Sequence, residues 1–511
     1  MAKSGAAPRY NSTRGGVKGA SFEEVVLGGL APDKGLYVPE FVPTFSPAEL
    51  ERLRPMSFPD LAFEIMRKFI DPSEISSENL RRLVDASYGP SSRFRVPEVA
   101  PTVQVGAVWV MELFHGPTFA FKDVALQFLG NLFEFFLERR RAGGDDARLA
   151  ILGATSGDTG SAAISGLRGK RGVDCFMLYP DGRVSAIQEQ QMATVPDANI
   201  HCIAIAGTFD DAQAIVKKAF VDREFNAEVS LGAVNSINWA RVLAQVTYYF
   251  KSYFEVSAQR GADAPLSFSV PTGNFGDILA GYYAKRMGLP VKDLLVATNE
   301  NDILHRFFTR GEYHKTANLE TLAPSMDICV SSNFERYLYH LCGDDSATLK
   351  GWMTDFESTG KLTVQGERLE QAREVFKSAS VVKAEVLETI KLVHNADEYL
   401  LCPHSAIGFA AIGKAKLPPS TTVCLATAHA AKFPTAVSQA VGALPGPPEE
   451  LAALARLPLR RAMLPNSLEA VQGFMRARLA GRSSRSWARE NTTIMVACFS
   501  VAVGILMFAR K

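Results

Sequence analysis

The seven cysteines of this chain form no C-x-x-C pair. That excludes a zinc ribbon and a disulfide framework and leaves reduced thiols that pack in the interior. An excess of one charge is missing too: the formal net charge is +1 over 511 residues, whereas a general nucleic-acid binder carries a basic surplus. No G-x-x-x-x-G-K-[ST] run occurs, so an ATP-type phosphate loop is absent. Met1, Ala2, Lys3 and Ser4 open no apolar stretch, and a secretory signal peptide is not expected. Internal repeats are lacking as well.

An apolar share of 47% and a charged share of 21% describe a soluble globular protein. The length exceeds one ordinary hydrophobic core, so two or three domains are expected. The first 95 residues have their own punctuation. Ser21 caps a helix with Glu24 closing a capping box, and Ala31, Pro32, Asp33, Lys34 and Gly35 form a turn. Residues 91–101, rich in proline and charge, read as a linker. Beyond them short apolar runs alternate with helical patterns. Strands are predicted at 103–113, 149–153, 204–207, 268–271, 294–298 and 422–426, with a helix at 124–140. Strands separated by helices pair in parallel, which gives an α/β fold. The alanine-, proline-, leucine- and arginine-rich stretch from Gly442 onward reads as a surface helix pair.

Chemistry concentrates around Lys122. It sits in the run His115, Gly116, Pro117, Thr118, Phe119, Ala120, Phe121, Lys122, Asp123, and two glycine-rich loops follow it. Thr272, Gly273, Asn274, Phe275, Gly276 and Asp277 lie between a strand and a helix, where backbone N–H groups and the helix dipole favour an anion. The spacing is G-x-x-G, not a dinucleotide fingerprint. Gly153, Ala154, Thr155, Ser156, Gly157, Asp158, Thr159 and Gly160 form the second loop, whose hydroxyls suit a substrate carboxylate or plain N-capping of the next helix. A lysine entering a helix with two anion cradles behind it suits pyridoxal 5'-phosphate, whose aldehyde forms a Schiff base with lysine. Asn235, Ser236 and Arg241 offer amide, hydroxyl and guanidinium to a phosphate or carboxylate. Ser331, Ser332, Asn333, Phe334, Glu335 and Arg336 read as a polar turn capping a helix. Thr427, His429 and Lys432 follow a late strand.

These segments, in this order, resemble threonine synthase of the long type seen in fungi, from Ser12, Thr13, Arg14 and Asp33 to Pro39 through to about residue 475. The resemblance implies a fold-type-II pyridoxal-phosphate enzyme of tryptophan synthase β-like architecture, with two open parallel-sheet α/β domains plus an N-terminal domain. It implies an N-terminal domain at 1–95, a catalytic region at 96–475 with a small subdomain at about 123–231, and a tail at 476–511. Lys122 is then the catalytic, Schiff-base lysine. Gly273, Asn274, Phe275, Gly276 and Asp277 line the cofactor phosphate, Thr427 meets the pyridine nitrogen, and Asp158 faces the ring oxygen. Thr155, Ser156 and Thr159 take the substrate carboxylate, and Asn235, Ser236, Arg241 and Lys432 take the substrate phosphate. The implied reaction converts O-phospho-L-homoserine and water to L-threonine and phosphate. Three positions depart from the family pattern: Asp158 where relatives outside this branch often have asparagine, Ala430 for a proline, and Lys34 for a glycine. The competing readings are a phospho-lyase giving 2-oxobutyrate and a non-catalytic, membrane-tethered relative.

Residues 494–509 carry no charge and lie between an arginine-rich stretch and Arg510-Lys511. The run is shorter than the ~20 residues of a usual span, yet with Thr492 and Thr493 it suffices for a thin bilayer. A C-terminal membrane anchor on an otherwise cytoplasmic body is expected, a buried strand or helix being the alternative. The oligomeric state, monomer or dimer, is left open.

Overall fold

The computed structural model describes residues 7–261, 263–442 and 446–480. The run at 494–509 lies outside them. Among the described residues no helix is long and apolar enough to cross a membrane.

The N-terminal part opens on an antiparallel strand pair, Tyr10–Ser12 with Tyr37–Pro39. Its helices start where serine supplies an oxygen to the first free N–H groups: Ser21 for Phe22–Gly28, Ser46 for Pro47–Leu53, Ser57 for Phe58–Met66 and Ser76 for Ser77–Tyr88. The box between Ser21 and Glu24 is present. Lys34, in the turn between the two strands, has φ +67, the left-handed region in which a glycine rests without strain.

Two sheets form the body. The larger has the order Phe376–Ser380, Val291–Thr298, Leu266–Pro271, Thr422–Ala426, Val108–Glu112, Thr102–Val105. All its neighbours are parallel except the last pair. The single strand predicted at 103–113 is thus a hairpin, turned at Gly106 with φ +55. The smaller sheet is parallel throughout, in the order Arg461–Leu464, Ile200–Ile205, Val173–Pro180, Leu149–Ala154, Leu231–Gly232. Its first strand comes from the region read as a helix pair: helices Glu449–Leu454 and Leu468–Leu479 are present, with that strand between them.

Trp239–Arg260 is the pillar of the molecule. It is buried along most of its length, polar side chains such as Arg241, Gln245 and Thr247 included. Helices Lys122–Ala142, Gly276–Arg286 and Phe58–Met66 pack on it. The lysine helix also meets Asp158–Leu167 at glycines. A Cβ on Gly130 would lie 2.0 Å from the Gly166 carbonyl oxygen, and one on Gly166 would lie 2.3 Å from that of Leu126. This contact sets Lys122 against the 154–160 loop.

Candidate active site

Strands Leu266–Pro271, Thr422–Ala426 and Val108–Glu112 are adjacent and parallel, so the loops at their carboxyl ends emerge together, where α/β sheets bind ligands. Those loops carry residues 272–277, Thr427 and Lys122. From the smaller sheet, adjacent parallel strands Leu149–Ala154 and Leu231–Gly232 deliver the 155–159 loop and the 233–238 segment.

Lys122 is the first residue of its helix. The loop before it is closed by Asp123, whose carboxylate accepts from Thr118 N at 2.8 Å and Thr118 Oγ1 at 2.7 Å. Phe121 N donates to Thr427 O at 2.8 Å and His429 N to Phe119 O at 3.1 Å, which seats Thr427 beside the lysine. The Lys122 ammonium is 4.6 Å from the Phe121 ring centre. Burial lowers its pKa to about 8, with Lys432 and Arg241 adding to the effect and Asp158 opposing it.

The 272–277 loop turns its carbonyls outward. Ser331 Oγ donates to Gly273 O at 2.7 Å, and Asn333 donates to Asn274 O from both its backbone N and its Nδ2, each at 3.0 Å. Phe275 holds φ +61 at the start of Gly276–Arg286, and no side chain caps that helix. Its first N–H groups are therefore left for an anion. A Cβ on Gly273 would lie 3.1 Å from Ser325 O and 3.2 Å from Met326 Cα, so the loop packs tightly against the 325–326 backbone. Asp277 accepts from Tyr248 at 2.5 Å and Tyr249 at 3.0 Å, while its Oδ2 is buried without a partner. Burial pushes its carboxyl up to about 6, against the two tyrosine hydrogen bonds.

In the 154–160 loop the residue heading the helix, Gly157, has no side chain to cap it, and Thr155 serves instead. Thr155 Oγ1 accepts from Gly157 N at 3.0 Å and Gly160 N at 2.8 Å, so it shapes the turn from within. Ser156 and Thr159 are half-buried. Asp158 pairs with fully buried Lys432 at 2.7 Å and accepts from Gln188 at 3.0 Å. Desolvation pushes the Asp158 carboxyl up, but Lys432 and Lys122 overcome it and hold the group well below the usual carboxylate range. Lys432 Nζ also donates to Thr118 O at 2.8 Å.

Arg241 is buried on the pillar helix, donates to Val234 O at 2.9 Å, and leaves its Nε without a partner. Desolvation lowers its pKa to about 10. A buried cation with a free donor is a site awaiting an anion. Ser236 is half-buried with its Oγ 3.1 Å from that of Ser332, and Asn235 is exposed.

The structure adds residues the sequence reading passed over. His404 is buried at the start of Pro403–Lys414, where its Nε2 accepts from Ser325 N at 3.3 Å. Desolvation takes its pKa down to about 4, so it is neutral. The only sequence signal was a histidine after a proline at a helix start. Gln188 gave none beyond its place in a helix. Among the described residues no cluster of metal-ligating side chains occurs. Pyridoxal phosphate fits what is there: a buried lysine of lowered pKa, an uncapped helix N-terminus and a separate buried arginine.

Residues 9–88 match the model for the threonine synthase N terminus, 84–351 that for pyridoxal-phosphate dependent enzymes and 405–475 that for the threonine synthase C-terminal region. Threonine synthase of Schizosaccharomyces pombe is 52% identical over 461 residues, covering 84% of this chain and 89% of its own. The crystal structure of threonine synthase from yeast superposes with TM-score 0.88 at 44% identity, covering 93% of this chain and 99% of that one. The pyridoxal-phosphate-bound threonine synthase from Brucella melitensis gives TM-score 0.88 at 42% identity, covering 92% and 99%. With a lysine so placed and relatives so near over almost its whole folded body, the chain belongs to the threonine synthase family of pyridoxal-phosphate-dependent enzymes.

Proposed function

We propose that this site converts O-phospho-L-homoserine and water to L-threonine and inorganic phosphate. The observation that carries the reading is one buried lysine beside two distinct anion sites: the uncapped helix at 272–277 and the buried Arg241 guanidinium, whose Nε has no partner. One phosphate belongs to the cofactor and the other to the substrate.

Lys122 would hold the cofactor aldehyde, Gly273, Asn274, Phe275, Gly276 and Asp277 would take its phosphate, and Thr427 and Asp158 would contact its ring. When bound, pyridoxal phosphate supplies an electron sink for the charge left as carbon loses a proton. Ser156 and Thr159 hold the amino-acid carboxylate on the turn that Thr155 shapes. Released when the substrate's own amino group takes its place, Lys122 Nζ, with a pKa near operating pH, takes the proton from Cα. A second proton leaves Cβ, and Arg241, with Asn235 and Ser236, receives the charge that grows as phosphate departs from Cγ. Lys432 brings further positive charge to this end, held by Asp158 and Thr118 O. A proton is returned to Cγ, which becomes the methyl group, and water then adds its hydroxyl at Cβ as Cα regains a proton, giving threonine.

Incubating the purified chain with O-phospho-L-homoserine and pyridoxal phosphate should give threonine and phosphate in equal amounts. Phosphate with 2-oxobutyrate in place of threonine would overturn the reading. The uncharged run at 494–509 would tether this catalytic body to a membrane. Full-length chain then sediments with membranes and chain ending at 489 does not; equal partitioning of both contradicts the tether.

A further inference from the structure

The turn at 331–336 does more than start a helix. Arg336 is fully buried against Trp239, 5.9 Å from its ring centre. The carboxylate beside it in sequence, Glu335, is taken by Arg14 at 2.9 Å and Thr13 at 2.7 Å. Each Arg336 nitrogen donates to a different segment: Nε to Tyr37 O at 2.8 Å, Nη2 to Ile237 O at 2.6 Å, and Nη1 to Asn333 Oδ1 at 2.6 Å. Asn333 in turn donates its Nδ2 to Asn274 O at 3.0 Å and to Ser236 O at 3.2 Å. Ser332 Oγ repeats the bridge, 3.1 Å from both Asn274 Oδ1 and Ser236 Oγ.

The two segments joined here come from different sheets. Residues 272–277 follow a strand of the larger one, and residues 235–238 follow the edge strand of the smaller one. A planar guanidinium with donors in a rigid fork fixes both at once, which a lysine amine cannot do. We propose that Arg336, acting through Asn333, is a positioning residue that sets the separation of the 272–277 loop from the 235–241 segment, and so of the cofactor phosphate from the substrate phosphate. The assignment of those two anion sites rests on the function proposed above.

The test uses the full chain carrying Arg336→Lys, Arg336→Met or Asn333→Ser. Cofactor affinity is measured by absorbance titration of cofactor-stripped protein with pyridoxal phosphate, beside thermal unfolding and the KM and kcat for O-phospho-L-homoserine. Losing one clamp should raise both the cofactor Kd and the substrate KM about tenfold, with KM rising more than kcat falls. Arg336→Lys should sit between wild type and Arg336→Met. A lowered melting temperature with wild-type Kd and KM would reduce Arg336 to a stability role and overturn the proposal. A rise in Kd or KM alone would also overturn it, since one residue is held to set both. Should Arg336→Met fail to fold, Asn333→Ser decides the matter, because it keeps the buried charge and removes the amide that links Arg336 to both carbonyls. The titration contains no substrate, so a wild-type chain that forms no threonine would refute the functional reading while leaving the cofactor arm readable.

Discussion

Lys122 carries the account at the scale of single residues, and its lowered pKa has a kinetic consequence. Only the unprotonated amine attacks an aldehyde, so the rate of pyridoxal phosphate capture should rise with pH through a midpoint near 8. Lys122→Ala should capture none, as read by visible absorbance. Two neighbours shift that midpoint in opposite directions. Asp158 raises the Lys122 pKa and Lys432 lowers it, so Asp158→Asn should move the profile to lower pH and Lys432→Met to higher pH. Equal profiles would refute the electrostatic assignment. Each change also strands one member of a buried ion pair, a loss of about 3 kcal/mol. Asp277 gives a stability signature in the cofactor-free chain. Its folded pKa is raised to about 6, so between the unfolded value and pH 6 the folded state binds the extra proton and stability falls as pH rises. Asp277→Asn removes that loss. Its advantage in chemical denaturation should be near zero at pH 4 and grow to about 3 kcal/mol above pH 6; a pH-independent difference would contradict this.

Elements were legible wherever an apolar run and its punctuation agreed. Thr422–Ala426 lies where the apolar pattern puts it, and the helix predicted at 124–140 extends to Lys122–Ala142. Val173–Pro180 went unread because its apolar run from Cys175 onward has no period that separates a buried strand from a buried helix. Phe376–Ser380 is a short edge strand with only Phe376 and Ala379 buried, so its sequence looks like loop. The hairpin at Gly106 was lost by reading both its strands as one. Glycines that mattered for packing were invisible: nothing near Gly130 or Gly166 announces a helix contact. Gly166→Ala should force Lys122–Ala142 away from Asp158–Leu167, lowering stability by about 3 kcal/mol in denaturant titration. Lys34 offers the reverse case. Lys34→Gly relieves the left-handed backbone at φ +67 and should be neutral to about 1 kcal/mol stabilising.

Taken whole, the molecule brings its site together from segments that sequence order keeps apart. The lysine loop, both glycine-rich loops and Thr427 could be named from local pattern, because each sits at a strand end with its own glycines or hydroxyls. What could not be read was how they are joined. Asp158 follows a strand of the smaller sheet and Lys432 one of the larger, and only the fold brings them together. Ser325 reaches His404 across 79 positions, and Arg336 reaches Tyr37 across 299. A capping turn and a clamp look alike until the fold closes around them, so residues 331–336 read as the former and act as the latter. The central claim concerns which bonds break. Elimination at Cγ followed by water addition at Cβ leaves the bridging oxygen on phosphate and takes the threonine hydroxyl from solvent. Mass spectrometry of products formed in 18O-water should therefore show one 18O in threonine and none in phosphate. Label in phosphate together with unlabelled homoserine would mean simple phosphate-ester hydrolysis and would contradict the account.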